Sequence, residues 1–198
     1  MLRLDNVRVR YEAQEVLSCL SHRFAEGKVT AIIGESGIGK STVLHLLGGL
    51  LRPNEGTVQT DGARIAMVFQ EPRLFPWMTA RENVRTVCGG DGSEAEKWLA
   101  RLGLADAMDK YPAELSGGMK QRVSIARALA YGADVLLLDE PFGGLDAALR
   151  LDVTRQVMEA FAGKTVIMVT HDESDLAYAD VVYRLTPPPE SRLEEIKR

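Results

Sequence analysis

The sequence predicts an α/β fold, a mostly parallel sheet with helices on both faces. Three observations carry the prediction. Short branched or apolar runs alternate with stretches of helical spacing. The run Val135–Asp139 is almost wholly apolar, as in a strand covered on both sides. The β-like stretch Val29–Ile33 runs straight into a glycine cluster and then a helical pattern, the strand-turn-helix order of a parallel crossover.

Taken in order, Leu2 to Val9 alternates apolar and polar residues as a half-buried strand does. After Val29–Ile33 and the glycines, Val43, Leu44, Leu46, Leu47 and Leu50 follow helical spacing. Gly48-Gly49 and Pro53 mark that helix's end. Strands are predicted at Thr57–Gln59 and Arg64–Phe69. From about Thr79 to Tyr131 the pattern is helical. Ser93 and Glu96 have the form of a capping box, and Gly103 sits where a C-terminal stop belongs. Then come the strand Val135–Asp139, a helix over about Ala147–Ala162, the strand Thr165–Thr170, a short helix and the strand Val181–Leu185. Pro187-Pro188-Pro189 and the charged tail are expected outside the fold. No repeat and no Ser- or Gly-rich linker divides the chain.

Composition narrows the function. The 198 residues are 45% hydrophobic and 26% charged, enough for one domain with a sizeable core. Lys plus Arg number 24 and Asp plus Glu 28, a net charge of -4. That balance opposes a general nucleic-acid binder and leaves room for a small basic pocket. Cys19 and Cys88 form no CxxC pair, so neither a disulfide framework nor a zinc site is indicated, which fits a reducing cytosol. Met1 to Arg10 lacks the apolar stretch of a signal peptide. Apolar runs are a few residues long, against about 20 for a membrane-spanning helix.

Residues 34–41, Gly-Glu-Ser-Gly-Ile-Gly-Lys-Ser, match G-x-x-x-x-G-K-[ST] between a strand and a helix. A polyphosphate needs many N–H donors converging on it, and Gly34, Gly37 and Gly39 let the loop wrap tightly enough. The following helix offers unpaired N–H groups and the positive end of its dipole. Lys40 adds a point charge for the β- and γ-phosphates, and the Ser41 hydroxyl suits Mg²⁺. The nucleotide-contacting run is Gly34, Glu35, Ser36, Gly37, Ile38, Gly39, Lys40, Ser41 and Thr42. Downstream, Val135-Leu136-Leu137-Leu138 ends in Asp139-Glu140, two carboxylates at the sheet's C-terminal edge, where ligands of such sheets bind. Asp139 is expected in the magnesium shell, and Glu140 to polarise a water attacking the γ-phosphate.

At Leu115-Ser116-Gly117-Gly118-Met119-Lys120-Gln121-Arg122 the chain resembles the signature of the ATP-binding cassette (ABC) ATPases. The resemblance runs from about Leu2 to Leu185. It implies a P-loop NTPase core with a mostly parallel sheet, an N-terminal antiparallel β portion and an inserted α-helical subdomain. One ABC ATPase domain is implied over 1–198, with 1–70 and 132–186 as core, 71–131 as helical subdomain and 187–198 as tail. It places Tyr11 on the adenine, Gln70 in the loop that joins core to helices and in the metal shell, Asp146 in the loop that communicates across a dimer, and His171 at the γ-phosphate. Catalytic roles thus fall to Lys40, Gln70, Glu140 and His171, and metal roles to Ser41, Gln70 and Asp139.

Ser116 precedes a helix with two glycines in its first turn, a second anion-binding helix start. By resemblance, Ser116, Gly117 and Gly118 of one copy close over the ATP held by Lys40 of another, head to tail. The resemblance further implies ATP and Mg²⁺ as ligands and a homodimer beneath transmembrane permease subunits. The chain is then expected at the cytoplasmic face of the membrane, serving a bacterial importer with an extracytoplasmic binding protein. The wording of the segment Gln70–Met78 is similar to ATPases of nitrate, sulfonate and taurine importers. Its Leu74, Phe75, Trp77 and Met78 either fold back into the helices or form a docking patch. The alternative is a soluble ABC ATPase of DNA repair or cofactor assembly, but no long heptad stretch of the repair proteins occurs. Gly143-Gly144 and Ile38 depart from common family residues, and the C-terminal regulatory domain of some importers is not expected.

Overall fold

The computed structural model describes residues 2–12, 14–89 and 92–196. In chain order the strands and α-helices are β1 (Leu2–Tyr11), β2 (Gln14–Phe24), β3 (Val29–Ile33), α1 (Lys40–Leu47), β4 (Glu55–Gln59), β5 (Ile65–Val68), α2 (Ala80–Arg85), α3 (Ser93–Arg101), α4 (Gly117–Ala130), β6 (Val135–Asp139), α5 (Ala147–Ala160), β7 (Thr165–Val169), α6 (Glu173–Leu176), β8 (Val181–Leu185) and β9 (Leu193–Glu195). Strands β2-β1-β4 form an antiparallel sheet, and β5-β6-β7-β3-β8-β9 a second one, parallel except for its last pair.

The alternation along the central strands decides the layers. On β6, Leu136 and Leu138 face one way and Val135 and Leu137 the other; on β7, Val166 and Met168 oppose Ile167 and Val169. One face packs on apolar residues of α4 and α5, among them Val123, Ile125, Val153 and Val157. The other packs on α1 and on the three-stranded sheet, through Val43, Leu44, Leu47, Leu4 and Leu20. Each such leucine or valine contributes about 1.5–3 kcal/mol on full burial, so a strand apolar on both faces belongs in this central layer.

The ends of the helices follow local chemistry. After α1 the chain closes with Gly49 at φ 69° and Leu50 N–H on the His45 carbonyl, as the glycine pair predicts. After α3, Gly103 takes φ 69° and Leu104 N–H reaches the Leu99 carbonyl, which satisfies the predicted stop. The capping box expected from Ser93 and Glu96 does not form. Gly92 is the N-cap, in the left-handed region, and Ser93 is the first helical residue. The real box has the same spacing at Thr79 and Glu82, at the start of α2.

The expectation that residues 187–198 lie outside the fold is also corrected. β9 adds an antiparallel edge to β8, and buried Ser191 accepts through its Oγ the backbone N–H of Ser18 on β2. Of that tail, Lys197 and Arg198 lie outside the described residues.

Candidate functional site

Strand order brings the motifs together. β5, β6, β7 and β3 are successive neighbours in the parallel sheet, so all four release their chains at one edge. β5 leads to Gln70, β6 to Asp139 and Glu140, β7 to His171, and β3 to the phosphate loop. This edge is where parallel sheets bind their ligands.

The phosphate loop has a backbone that only glycine adopts easily. Gly37 sits at φ 76° and Gly39 at φ 109°. At Gly39 a Cβ would stand 2.9 Å from Val16 Cγ1 and 3.1 Å from Leu17 Cδ2, so β2 presses directly on the loop. Gly39 N-caps α1 and brings no side chain to its first-turn N–H groups. These are left to an anion from outside. Lys40 is buried, and its Nζ donates to the carbonyls of Gly34 at 2.9 Å and Glu35 at 2.7 Å, which curls the loop around the ammonium.

The acidic pair divides as its positions suggest. Asp139 is buried, and its Oδ1 accepts the Ser41 hydroxyl at 2.8 Å. Burial pushes its carboxyl above the usual carboxylate range, against the Ser41 hydrogen bond. A buried carboxyl beside a hydroxyl, raised by desolvation, is a hard-oxygen donor set that a divalent cation would satisfy, so the residues fit magnesium. Glu140 turns away from the strand at φ 44°, its N–H held by the Val169 carbonyl at 3.0 Å. Its Oε2 accepts from Gln70 Nε2 at 3.3 Å, and its Oε1 lies 3.5 Å from His171 Nδ1.

Gly34, Ser36, Gly37, Gly39, Lys40, Ser41, Thr42, Gln70, Glu140 and His171 line one cavity of about 470 Å³. Glu35 and Ile38 line an adjoining one. Tyr11 stands half exposed at the end of β1, paired with Gln14, and lines neither. Ser116, Gly117 and Gly118 lie elsewhere, around a second cavity of about 540 Å³ with Gly143, Gly144 and Asp146; Gln70 borders both. Ser116 N-caps α4 by accepting Met119 N–H at 3.3 Å. A Cβ on Gly118 would come within 3.1 Å of Leu145 Cδ2, so the glycine turn lies against that loop. Asp146 N-caps α5 through Leu149 N–H at 3.0 Å. Within one chain, the helix starts at Gly39 and Ser116 therefore border different cavities.

Within Leu74–Met78 one side chain folds back and two stand exposed. Leu74 packs on the core, whereas Phe75 is 39% and Trp77 68% exposed, their ring centroids 5.6 Å apart. Fully buried Asn83 pins the turn: its Oδ1 accepts Phe75 N–H, and its Nδ2 donates to the carbonyls of Phe75, Met78 and Thr79.

Two features escaped sequence reasoning. Arg150 on α5 pairs with Asp172 and with fully buried Asp175, which also accepts the Thr170 hydroxyl at 2.6 Å. The residues on both sides of His171 are thus held by one arginine, which in sequence reads only as a helix-surface charge. Gln121 bridges two loops from within α4. It stands inside the signature string quoted above, but nothing in that string shows which backbone its side chain meets.

Comparison with known proteins follows the same lines. A family model described as ABC transporter matches residues 17–143. The chain is 40% identical over 218 residues to the bicarbonate transport ATP-binding protein CmpD of Synechocystis sp., covering 98% of this chain and 77% of that protein. It is 41% identical over 193 residues to the aliphatic sulfonates import ATP-binding protein SsuB 3 of Pseudomonas syringae pv. tomato, covering 91% and 71%. Two solved dimers superpose over the full length of both chains. An ATP-binding cassette in a post-hydrolysis state with ADP and Pi gives a TM-score of 0.89 at 29% identity. A bacterial ABC transporter cassette gives 0.88 at 31%.

Proposed function

This chain belongs to the ABC transporter family and is one of its ATPases, and from that premise we propose that it powers a bacterial importer as a head-to-tail dimer that closes on two ATP and reopens on hydrolysis. The observation that carries the reading is the separation of Lys40 from Ser116–Gly118 into two cavities of one chain. Each is half of a nucleotide site, and two copies complete both. The importer relatives support the direction of transport, and the dimeric cassettes support the pairing. Residues 71–131 form the helical subdomain that brings the second half-site to the partner copy.

In this mechanism the loop amides and Lys40 hold the β- and γ-phosphates. Magnesium, held by Ser41 and Asp139 with Gln70 alongside, would offset the charge on the phosphate oxygens. Glu140 accepts a hydrogen bond from the attacking water's O–H, with His171 and Gln70 fixing its carboxylate from two sides. Asp146 and the 143–145 turn relay contact between copies. Tyr11 reaches the adenine from the end of β1, outside the phosphate cavity. Phe75 and Trp77 offer an apolar, aromatic patch to a permease subunit, with the chain lying peripherally at the cytoplasmic face. Among the described residues no helix is long and apolar enough to cross a membrane. A substrate-binding protein outside the membrane completes the importer.

The test is Glu140→Gln, examined by turnover and by light scattering with ATP and magnesium. Turnover should vanish while an ATP-bound dimer accumulates. A variant that stays monomeric under conditions where the parent pairs would refute the role of Glu140.

A further inference from the structure

We infer that Gln121 is a positioning residue, its buried amide tying the Ser116–Gly118 helix start to Gln70 and Glu140 at once. The inference rests on the reading of the two half-sites given above. Gln121 lies in the second turn of α4 and is 2% exposed. Its Nε2 donates to the Phe69 carbonyl at 3.1 Å and to the Pro141 carbonyl at 2.7 Å. Phe69 precedes Gln70, and Pro141 follows Glu140. Gln70 and Glu140 bond each other at 3.3 Å, which closes a ring through three side chains.

The amide can sit only one way round. Both of its hydrogens are spent on carbonyls, and a flipped amide would set its oxygen against two others. Its own Oε1 is buried without a hydrogen-bond partner. That arrangement is costly by itself, because a buried acceptor has lost its water without gaining a donor, so the two donated bonds decide the orientation. The carbonyls lie just beyond the ends of the neighbouring strands β5 and β6, where Val68 pairs with Leu138. A helix is stiff, and five residues separate Ser116 from Gln121, about 7.5 Å of rise. A shift of the helix start under a partner's nucleotide therefore moves the Gln121 amide, and with it the backbone on either side of the sheet edge. Glu140 is responsive to such a pull because its backbone already lies at φ 44°.

The test uses the full chain with Gln121→Met, which keeps the volume and removes the donors. ATP affinity, read by a fluorescent analogue, should stay within about twofold of the parent, while kcat falls roughly 10- to 100-fold, the range for lost supporting contacts. Combined with Ser116→Ala, the loss should equal the larger single loss, because both act through one connection. Losses that multiply, or a kcat equal to the parent's, would overturn the inference. Where Gln121→Met does not fold, Gln121→Glu decides. Its protonated carboxyl supplies one O–H donor, so its activity relative to the parent should climb as pH drops from about 8 to about 6, and a flat ratio overturns the proposal. The parent and Lys40→Ala are run alongside. A parent without ATP turnover defeats the underlying reading and this inference with it. A working parent matched by Gln121→Met defeats this inference alone.

Discussion

Replacing Arg150 with methionine removes one partner of a buried ion pair and leaves the other in place. Arg150 Nη2 lies 2.5 Å from Asp175 Oδ2 and Nε lies 3.4 Å from Oδ1, and the Asp175 side chain is 1% exposed. Stranding a buried charge costs about 3–5 kcal/mol. Arg150 is itself 20% exposed, so water reaches the pair and the low end applies. Its second pair, with the 36% exposed Asp172, adds only about 0.2–1 kcal/mol. A loss of about 3 kcal/mol lowers Tm by roughly 6–12 °C for a chain of this size. Thermal melts of the parent, Arg150→Met and the double variant with Asp175→Asn measure it. The neutral amide needs no counter-charge, so the double variant should recover part of the loss. Below the melting range, turnover of the single variant should drop about tenfold, because Thr170 and Asp172 no longer hold His171 in place. A single-variant loss under about 1 kcal/mol, or a double variant no more stable than the single, refutes the argument.

Three further outcomes are expected. Lys40→Ala should weaken ATP binding about 10- to 100-fold, the worth of a charge-assisted hydrogen bond; an unchanged titration curve would remove the cradle argument. Trp77→Ala should leave basal ATPase within about twofold and slow transport in a reconstituted system, and equal transport rates would count against docking through this patch. Asp180 is held below the ordinary carboxylate range by Val29 N–H and then by Lys28. Its contribution is present above the unfolded value, about 3.9, and is lost as pH falls through the lower folded value. Asp180→Asn should therefore be less stable near neutrality and show a shallower acid limb, and parallel acid limbs would contradict this.

The central layer was legible because inner strands such as Val135–Asp139 are apolar on both faces, and the branched run opening Val181–Leu185 marks the next strand despite the exposed Arg184. Residues 14–24 were not. Leu17 and Ser18 are buried in succession, and Cys19 at φ 52° bulges the strand, so the two-residue period is broken by a backbone feature without a signature. The tail misled because three prolines and many charges read as solvent-exposed, while Ser191 is fixed by a contact 173 residues away. Spacing singled out Ser93 and Glu96 and passed over Thr79 and Glu82; in the fold Gly92, in the left-handed region, caps α3, and the box forms at the start of α2. At the site, the phosphate loop and Asp139-Glu140 show themselves through local chemistry. Gln121 and Arg150 matter through contacts with distant backbone and side chains, and a linear reading does not display those.

The backbone at residue 140 has a consequence for anyone surveying that position. Only a few side chains tolerate the left-handed region, with glycine, asparagine and aspartate ahead of the rest and valine or isoleucine at a penalty of about 1–3 kcal/mol. A saturation library here would sort along two independent axes, foldability following main-chain tolerance and chemistry following the carboxylate. Asparagine and glycine would give well-behaved but inert protein, whereas branched replacements would be scarce in the soluble fraction before any assay began.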